Sequence, residues 1–127
     1  MKAEVAAENE LVARLMFESG DYVGCLLLIH ALVEGALRNF LRCGESGTFN
    51  AIVGQYRDYL ISEGQKDPLL VEELTQFNRR RNRVVHGLWL RGYHDTNEGH
   101  RLDDACKAGM VMLELLSDYV STFAPRD

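Results

Sequence analysis

The stretch Tyr22–Leu41 reads YVGCLLLIHALVEGALRNFL, and its periodicity decides the fold. Tyr22, Cys25, Leu26, Ile29, Val33, Leu37, Phe40 and Leu41 recur at spacings of about three and four, the period of a helix with one buried face. Asp21, immediately before it, supplies an N-cap carboxylate, so a long helix is expected to start there. Its most apolar part, Val23 to Val33, is interrupted by Gly24 and His30 and bounded by Asp21 and Glu34. Against a hydrocarbon layer about 30 Å thick, that run is too short and too broken to form a membrane span.

On either side the helical period continues. Residues 3 to 18 are rich in Ala, Glu, Leu, Val and Met and stop at Ser19-Gly20, a glycine end signal. After a loop at Cys43-Gly44-Glu45-Ser46-Gly47, a third helix is read from Phe49, Ile52, Val53, Tyr56, Tyr59 and Leu60. Asp67-Pro68 places a cap residue before a proline at the first helical position, and Leu70, Leu74 and Phe77 carry the next stripe on to Gly87. The stretch from Leu88 to His100 alternates briefly, holds two glycines and reads as a loop or a short extended excursion. From Leu102 a last helix is traced by Ala105, Gly109, Met112, Leu116, Tyr119 and Phe123, with Pro125 beyond its end. No run alternates as a strand would, and no repeat appears. The expected architecture is all-α: an up-and-down bundle of four to five helices in one domain, residues 1–127.

Composition agrees with one globular domain. The chain has 127 residues, 46% hydrophobic and 26% charged, with 11 glycines and only two prolines. Cys25, Cys43 and Cys106 are an odd, widely spaced set, which suits a reducing compartment and small core side chains rather than a disulfide framework. The N-terminal residues carry three carboxylates where a secretory leader needs an apolar segment, so a cytoplasmic location is expected. The net charge is -5, yet Arg79 to Arg101 holds six arginines against Asp95 and Glu98, a local +4 that leaves -9 elsewhere. One basic patch on an acidic body suits a confined anion site better than a long nucleic-acid track.

Within that patch one residue is out of place. Stepping along the fourth stripe from Leu70, Leu74 and Phe77 brings Arg81 to a position where a core side chain is expected, before Val84 and Leu88. A buried guanidinium requires an acidic partner, an anion or a wet cleft, and Glu34 on the second helix is the first partner expected; the alternative is that Arg81 snorkels along the stripe to solvent. His86 follows five residues later, about 140° further round the helix, while Asn78, Asn82 and His86 share one ridge.

The run Arg81-Asn82-Arg83-Val84-Val85-His86-Gly87 resembles the Arg-X4-His motif of HEPN domains, in which a polar residue such as Asn often follows the arginine. The helical bundle is similar to that family over nearly the whole chain, whereas the specific signal occupies these seven residues. The resemblance implies a homodimer with two motifs lining one cleft, and a metal-independent RNA endonuclease of a toxin-antitoxin, phage-defence or stress system. It assigns His86 as general acid or base, Arg81 to the phosphate and its developing charge, and Asn82 to orienting His86 or the phosphate. Arg79, Arg80, Arg83 and Arg91 would attract flanking RNA. Independently of the resemblance, Trp89 and Tyr93 beside the arginines are read either as groups that stack on bases or as a cover for the bundle end or a dimer surface. The implied attack by a ribose 2'-hydroxyl excludes DNA as a cleavage substrate. A toxin subgroup paired with a nucleotidyltransferase antitoxin carries Arg-X4-His-X-Tyr. Leu88 stands at that tyrosine's place here, so its adenylylation does not carry over, and such a partner is open rather than indicated.

No cofactor or metal motif is read. His94, Asp95, Glu98 and His100 lack the spacing of a ligand set and read as a polar loop, and His30 reads as a hydrogen-bonded core histidine. The alternative to the nuclease is a non-catalytic helical module that binds a protein or a nucleotide, with Arg81 paired to Glu34 for structure alone.

Overall fold

The computed structural model describes residues 3–64, 69–99 and 101–122, with side chains described as far as Leu116. Five helices make up these residues: α1 (Ala3–Glu18), α2 (Tyr22–Leu41), α3 (Phe49–Ser62), α4 (Leu69–Asn97) and α5 (Leu102–Thr122). No strand occurs among them, and the all-helical bundle expected from the periodicity is the architecture found. The Asp67-Pro68 start, the side chain of Tyr119, and Phe123 and Pro125 lie outside the described residues.

The boundaries follow local chemistry. Gly20, with φ 84°, turns the chain out of α1 while its N–H and that of Asp21 donate to the carbonyls of Phe17 and Met16 (3.1 and 2.8 Å). Asp21 then caps α2, its carboxylate accepting from the Gly24 N–H at 3.0 Å. Thr48 caps α3 in the same way, through the Ala51 N–H at 3.1 Å.

Helix α2 is the axle of the bundle and packs on each of the other four helices. Val23, Cys25, Leu26, Ile29, Leu32, Val33, Leu37, Phe40 and Leu41 are all buried in the common core. Among the described helices α2 is the one whose length and composition would also allow it to cross a membrane, which the Val23–Val33 run considered alone did not suggest. Its apolar character is accounted for inside the bundle, where half of it is covered. Cys25 and Cys106 are core residues as expected, but the fold also brings them together. The Cys106 thiol donates to the Tyr22 carbonyl at 3.2 Å, and its contact with Cys25, together with burial, pushes its pKa upward.

The stretch after Gly87 departs from expectation. It is neither loop nor strand: α4 continues to Asn97, interrupted at Gly92, where φ 81° and ψ 176° are non-helical. The brief apolar alternation that resembled an extended segment comes from side chains left outside the core, Trp89 above all at 82% exposure. Gly92 is the point of redirection because its left-handed φ carries no Cβ penalty. Beyond the kink, Tyr93 donates its hydroxyl to Asp21 Oδ1 (2.6 Å), and Asn97 bridges two backbone groups of the α1–α2 turn. Asn97 Oδ1 accepts from the Val23 N–H at 2.9 Å, and its Nδ2 donates to the Gly20 carbonyl at 2.7 Å. The Val23 donor belongs to the first turn of α2, where no intrahelical acceptor exists, so Asn97 satisfies a buried group that water cannot reach.

Where α2, α4 and α5 meet, Gly109 sets the spacing. A Cβ built there would stand 2.7 Å from Phe77 Cε1 and 3.1 Å from Ile29 Cγ2. Gly109→Ala is therefore expected to lower the unfolding free energy by about 1–3 kcal/mol through overpacking, although alanine is the better helix former. Urea denaturation reads the effect, and an unchanged or raised midpoint would refute the close-packing account.

Candidate functional site

Helix α4 carries two different faces past Phe77. At about 100° per residue, Arg80, Arg83, Val84, Gly87 and Arg91 fall on one side, whereas Arg79, Asn82 and His86 fall on the other. The first side looks into a cavity against the start of α5, lined by Arg80, Arg83 and Arg91 but not by Arg79. The second side is exposed at Arg79, Asn82 and His86. The four arginines expected to collect RNA are thus divided: Arg79 shares a ridge with His86, and Arg80, Arg83 and Arg91 face elsewhere.

Arg81 lies between these faces and is half-buried rather than sealed in the core. Its Nη1 donates to Asn82 Oδ1 at 2.9 Å. The expected ion pair with Glu34 is not formed. Glu34 Oε2 instead accepts from Arg38 Nε at 2.9 Å, one turn along the same helix. Arg38 wins because its guanidinium is already held there, donating to the carbonyls of Gly44, Ser46 and Gly47 at 2.8–3.0 Å. It acts as a clamp on the α2–α3 loop, and the local i,i+4 pair costs less ordering than a reach across helices. Arg81 in turn needs no carboxylate, since its stem runs along the core while its head remains in contact with solvent.

His86 is exposed and stacks loosely on Trp89, with ring centroids 6.4 Å apart and planes at 24°. Val85 and Leu90 beside them are exposed too, so the imidazole stands in an apolar surface strip. Leu88 points inward against the core. Tyr93, expected beside the arginines as a base-stacking group, is committed to Asp21. The Asn78–Asn82–His86 ridge changes character along its length, because four residues advance it by about 40°. Asn78 is 6% exposed, while Asn82 and His86 are open to solvent.

Near Arg81 a polar thread runs from the surface at Asn50 to the buried Asn78 and His30 and joins three helices. Asn78 Nδ2 donates to Asn50 Oδ1 at 3.2 Å, which turns Asn78 Oδ1 toward His30 Nε2 at 2.9 Å. With the amide in that orientation, Nε2 is the nitrogen that carries the proton of the neutral ring. Phe49 and Phe77 flank the imidazole at centroid distances of 4.5 and 5.7 Å. His30 is thus the hydrogen-bonded core residue expected from its apolar surroundings. Burial lowers its pKa; the Asn78 hydrogen bond opposes that, the Arg81 charge adds to it, and Glu34 opposes it. The thread was not legible in sequence, because Asn50 and Asn78 each look like an ordinary helix-surface amide.

His94 and Asp95 are exposed on the last turns of α4, Glu98 follows them, and His100 lies outside the described residues. Among the described residues no three His, Cys, Asp or Glu side chains converge as metal ligands would. Comparisons with protein-family models, curated proteins and solved structures find no match to this chain. The HEPN resemblance accordingly rests on residues 81–87 and on the helical architecture.

The His30 environment has a pH consequence. Its folded pKa is below the ordinary value near 6.5, so the unfolded chain takes up a proton first as pH falls. Native stability is therefore complete above about pH 6.5 and declines from there toward the lower folded value. Thermal unfolding between pH 7 and 5 should show this slope in the wild type and a smaller one in His30→Gln. Equal slopes in the two proteins would rule His30 out as its source.

Proposed function

We propose that this chain is a metal-independent RNA endonuclease of HEPN type, acting as a homodimer through Arg81, Asn82 and His86. The observation that carries the reading is the arrangement of these three on α4: Arg81 is held by Asn82 at 2.9 Å, and His86 is open to solvent one turn further on. Among the described residues the ring contact of His86 is with Trp89, which leaves its nitrogens open to a substrate. In the proposed reaction the ribose 2'-hydroxyl attacks the adjacent phosphorus, the bond to the 5'-oxygen breaks, and the products are a 2',3'-cyclic phosphate and a 5'-hydroxyl. His86 moves the proton between oxygens, Arg81 holds the phosphate, and Asn82 fixes the guanidinium. Arg79, on the His86 ridge, is the arginine best placed to draw in flanking RNA.

A single protomer holds Arg81 and His86 too far round the helix to enclose one phosphate, and a two-fold axis along α4 would supply two copies of each. The exposed strip of Val85, Trp89 and Leu90 supports that geometry, since such side chains favour burial against a second copy. This reading places the protein in the cytoplasm, in a toxin-antitoxin, defence or stress setting, where an antitoxin would be a further partner.

Purified protein should cleave single-stranded RNA in EDTA and leave cyclic phosphate ends. His86→Ala and Arg81→Ala should each reduce the rate by about a hundredfold or more. Wild-type activity in the double variant would end the proposal. Sedimentation at micromolar concentration should show a dimer that Trp89→Glu weakens by roughly thirtyfold, about 2 kcal/mol, as for a central interface aromatic. A wild-type monomer with and without RNA would remove the composite cleft.

A further inference from the structure

The far side of α4 carries a second constellation. A cavity of about 350 Å³ lies between α4 and the start of α5, and Arg80, Arg83, Arg91 and Arg101 all line it. None of the four has a carboxylate within ion-pair distance among the described residues. Asp95, Glu98, Asp103 and Asp104 are near in sequence but do not line the cavity, so its charge is uncompensated. Thr96 lines the same space at 6% exposure, and its Oγ1 is buried without a hydrogen-bond partner. A buried hydroxyl left unpaired is costly, and it marks a place where an acceptor belongs.

Two backbone features make room for this cluster. A Cβ on Gly87 would stand 3.1 Å from the buried Thr96 Oγ1 and 2.7 Å from Arg91 Nη2, so glycine lets Thr96 pack closely on the helix and leaves room for the Arg91 head. Arg101 adopts φ 66°, a left-handed conformation uncommon for a residue with a side chain, at the entry to α5. The volume is near the lower end of the range of about 300–1,000 Å³ found for small-molecule sites. Four guanidiniums present more donors than one phosphate can accept, and each is suited to paired hydrogen bonds with phosphate oxygens.

We infer that this cavity is a binding site for a diphosphate group, with Arg80, Arg83, Arg91 and Arg101 holding the two phosphates and the Thr96 hydroxyl donating to one of them. The group could be inorganic diphosphate or part of a nucleotide, and both present the same chemistry to the site. The site is on the side of α4 that faces the start of α5 and is not lined by His86, and it does not rest on the nuclease reading, because its occupancy is measured without RNA.

Titration calorimetry of the full chain at constant ionic strength, with pyrophosphate, ADP and orthophosphate, tests the inference. Saturable binding of pyrophosphate is expected, with orthophosphate at least tenfold weaker. ADP binding more tightly than pyrophosphate would identify a nucleotide as the source, and equal or weaker binding would identify the inorganic ion. Arg101→Gln, at a helix entry and outside the core, should weaken pyrophosphate at least tenfold with an unchanged circular dichroism spectrum. Thr96→Val should weaken it several-fold while raising the thermal midpoint of the free protein, an opposite-signed pair that a purely structural threonine would not give. The inference is overturned if pyrophosphate shows no saturable binding, if orthophosphate binds equally well, or if Arg101→Gln binds like the wild type.

Discussion

An almost wholly apolar helix cannot stand at the surface of a bundle, and the burial of α2 is the constraint from which the rest of this structure follows. Half of α2 is buried, its core side chains running from Val23 to Leu41, and all four other helices pack on it. The polar interruptions in that helix are correspondingly few, and each is resolved differently. His30 is paired with Asn78 and flanked by aromatic rings, whereas Glu34 is neutralised within its own helix by Arg38. Because Arg38 also gathers three carbonyls of the following loop, the same ion pair that settles Glu34 orders the connection to α3.

The N-terminus of α2 is the second point of control. Asp21 caps the helix, accepts the Tyr93 hydroxyl and closes over Gly24, where any Cβ would collide with its carboxylate. Asn97 then joins the end of α4 to the turn before α2 through two hydrogen bonds, one buried and one part-buried. These contacts give the kink at Gly92 its physical meaning: without the redirection, the last residues of α4 would not come back to the turn. They also bring Thr96 and Arg101 to the cavity beside Gly87. A stretch that is irregular in sequence is therefore the latch that positions one of the two charged faces.

Helix α4 presents two polar surfaces because 3.6 residues per turn spreads seven polar residues between Arg79 and Arg91 around its circumference. Arg79, Asn82 and His86 emerge beside the exposed apolar side chains of Val85, Trp89 and Leu90. Arg80, Arg83 and Arg91 emerge over α5, where the charge is concentrated in a concave space. Arg81, between them, has its stem against the core and its charge near His30, so the buried imidazole and the motif arginine are electrostatically linked.

Much of this was legible in the residues alone. The three-and-four spacing of apolar side chains marked α1, α2, α3 and α5 closely, because burial of one helical face is a one-dimensional pattern and Asp21, Gly20 and the glycine-rich loop after α2 are local signals. The Arg81-Asn82-X3-His86 run was visible for the same reason. Partners across helices were not. The Arg38 clamp displaced the expected Arg81–Glu34 pair, and the Asn50–Asn78–His30 thread and the Asn97 latch join residues 28 to 77 positions apart. Spacing also could not show that α4 continues through Gly87 to Gly92, since a glycine's end signal is decided by what packs beyond it. Nor could it separate the arginines, which are neighbours in sequence but of which only Arg80, Arg83, Arg91 and Arg101 line the space beside α5. Sequence by itself determined where the charge lies and which segments are helical, apart from the continuation of α4 to Asn97; tertiary structure decided which charges meet, because hydrogen bonds and ion pairs depend on distances that only the packed core sets.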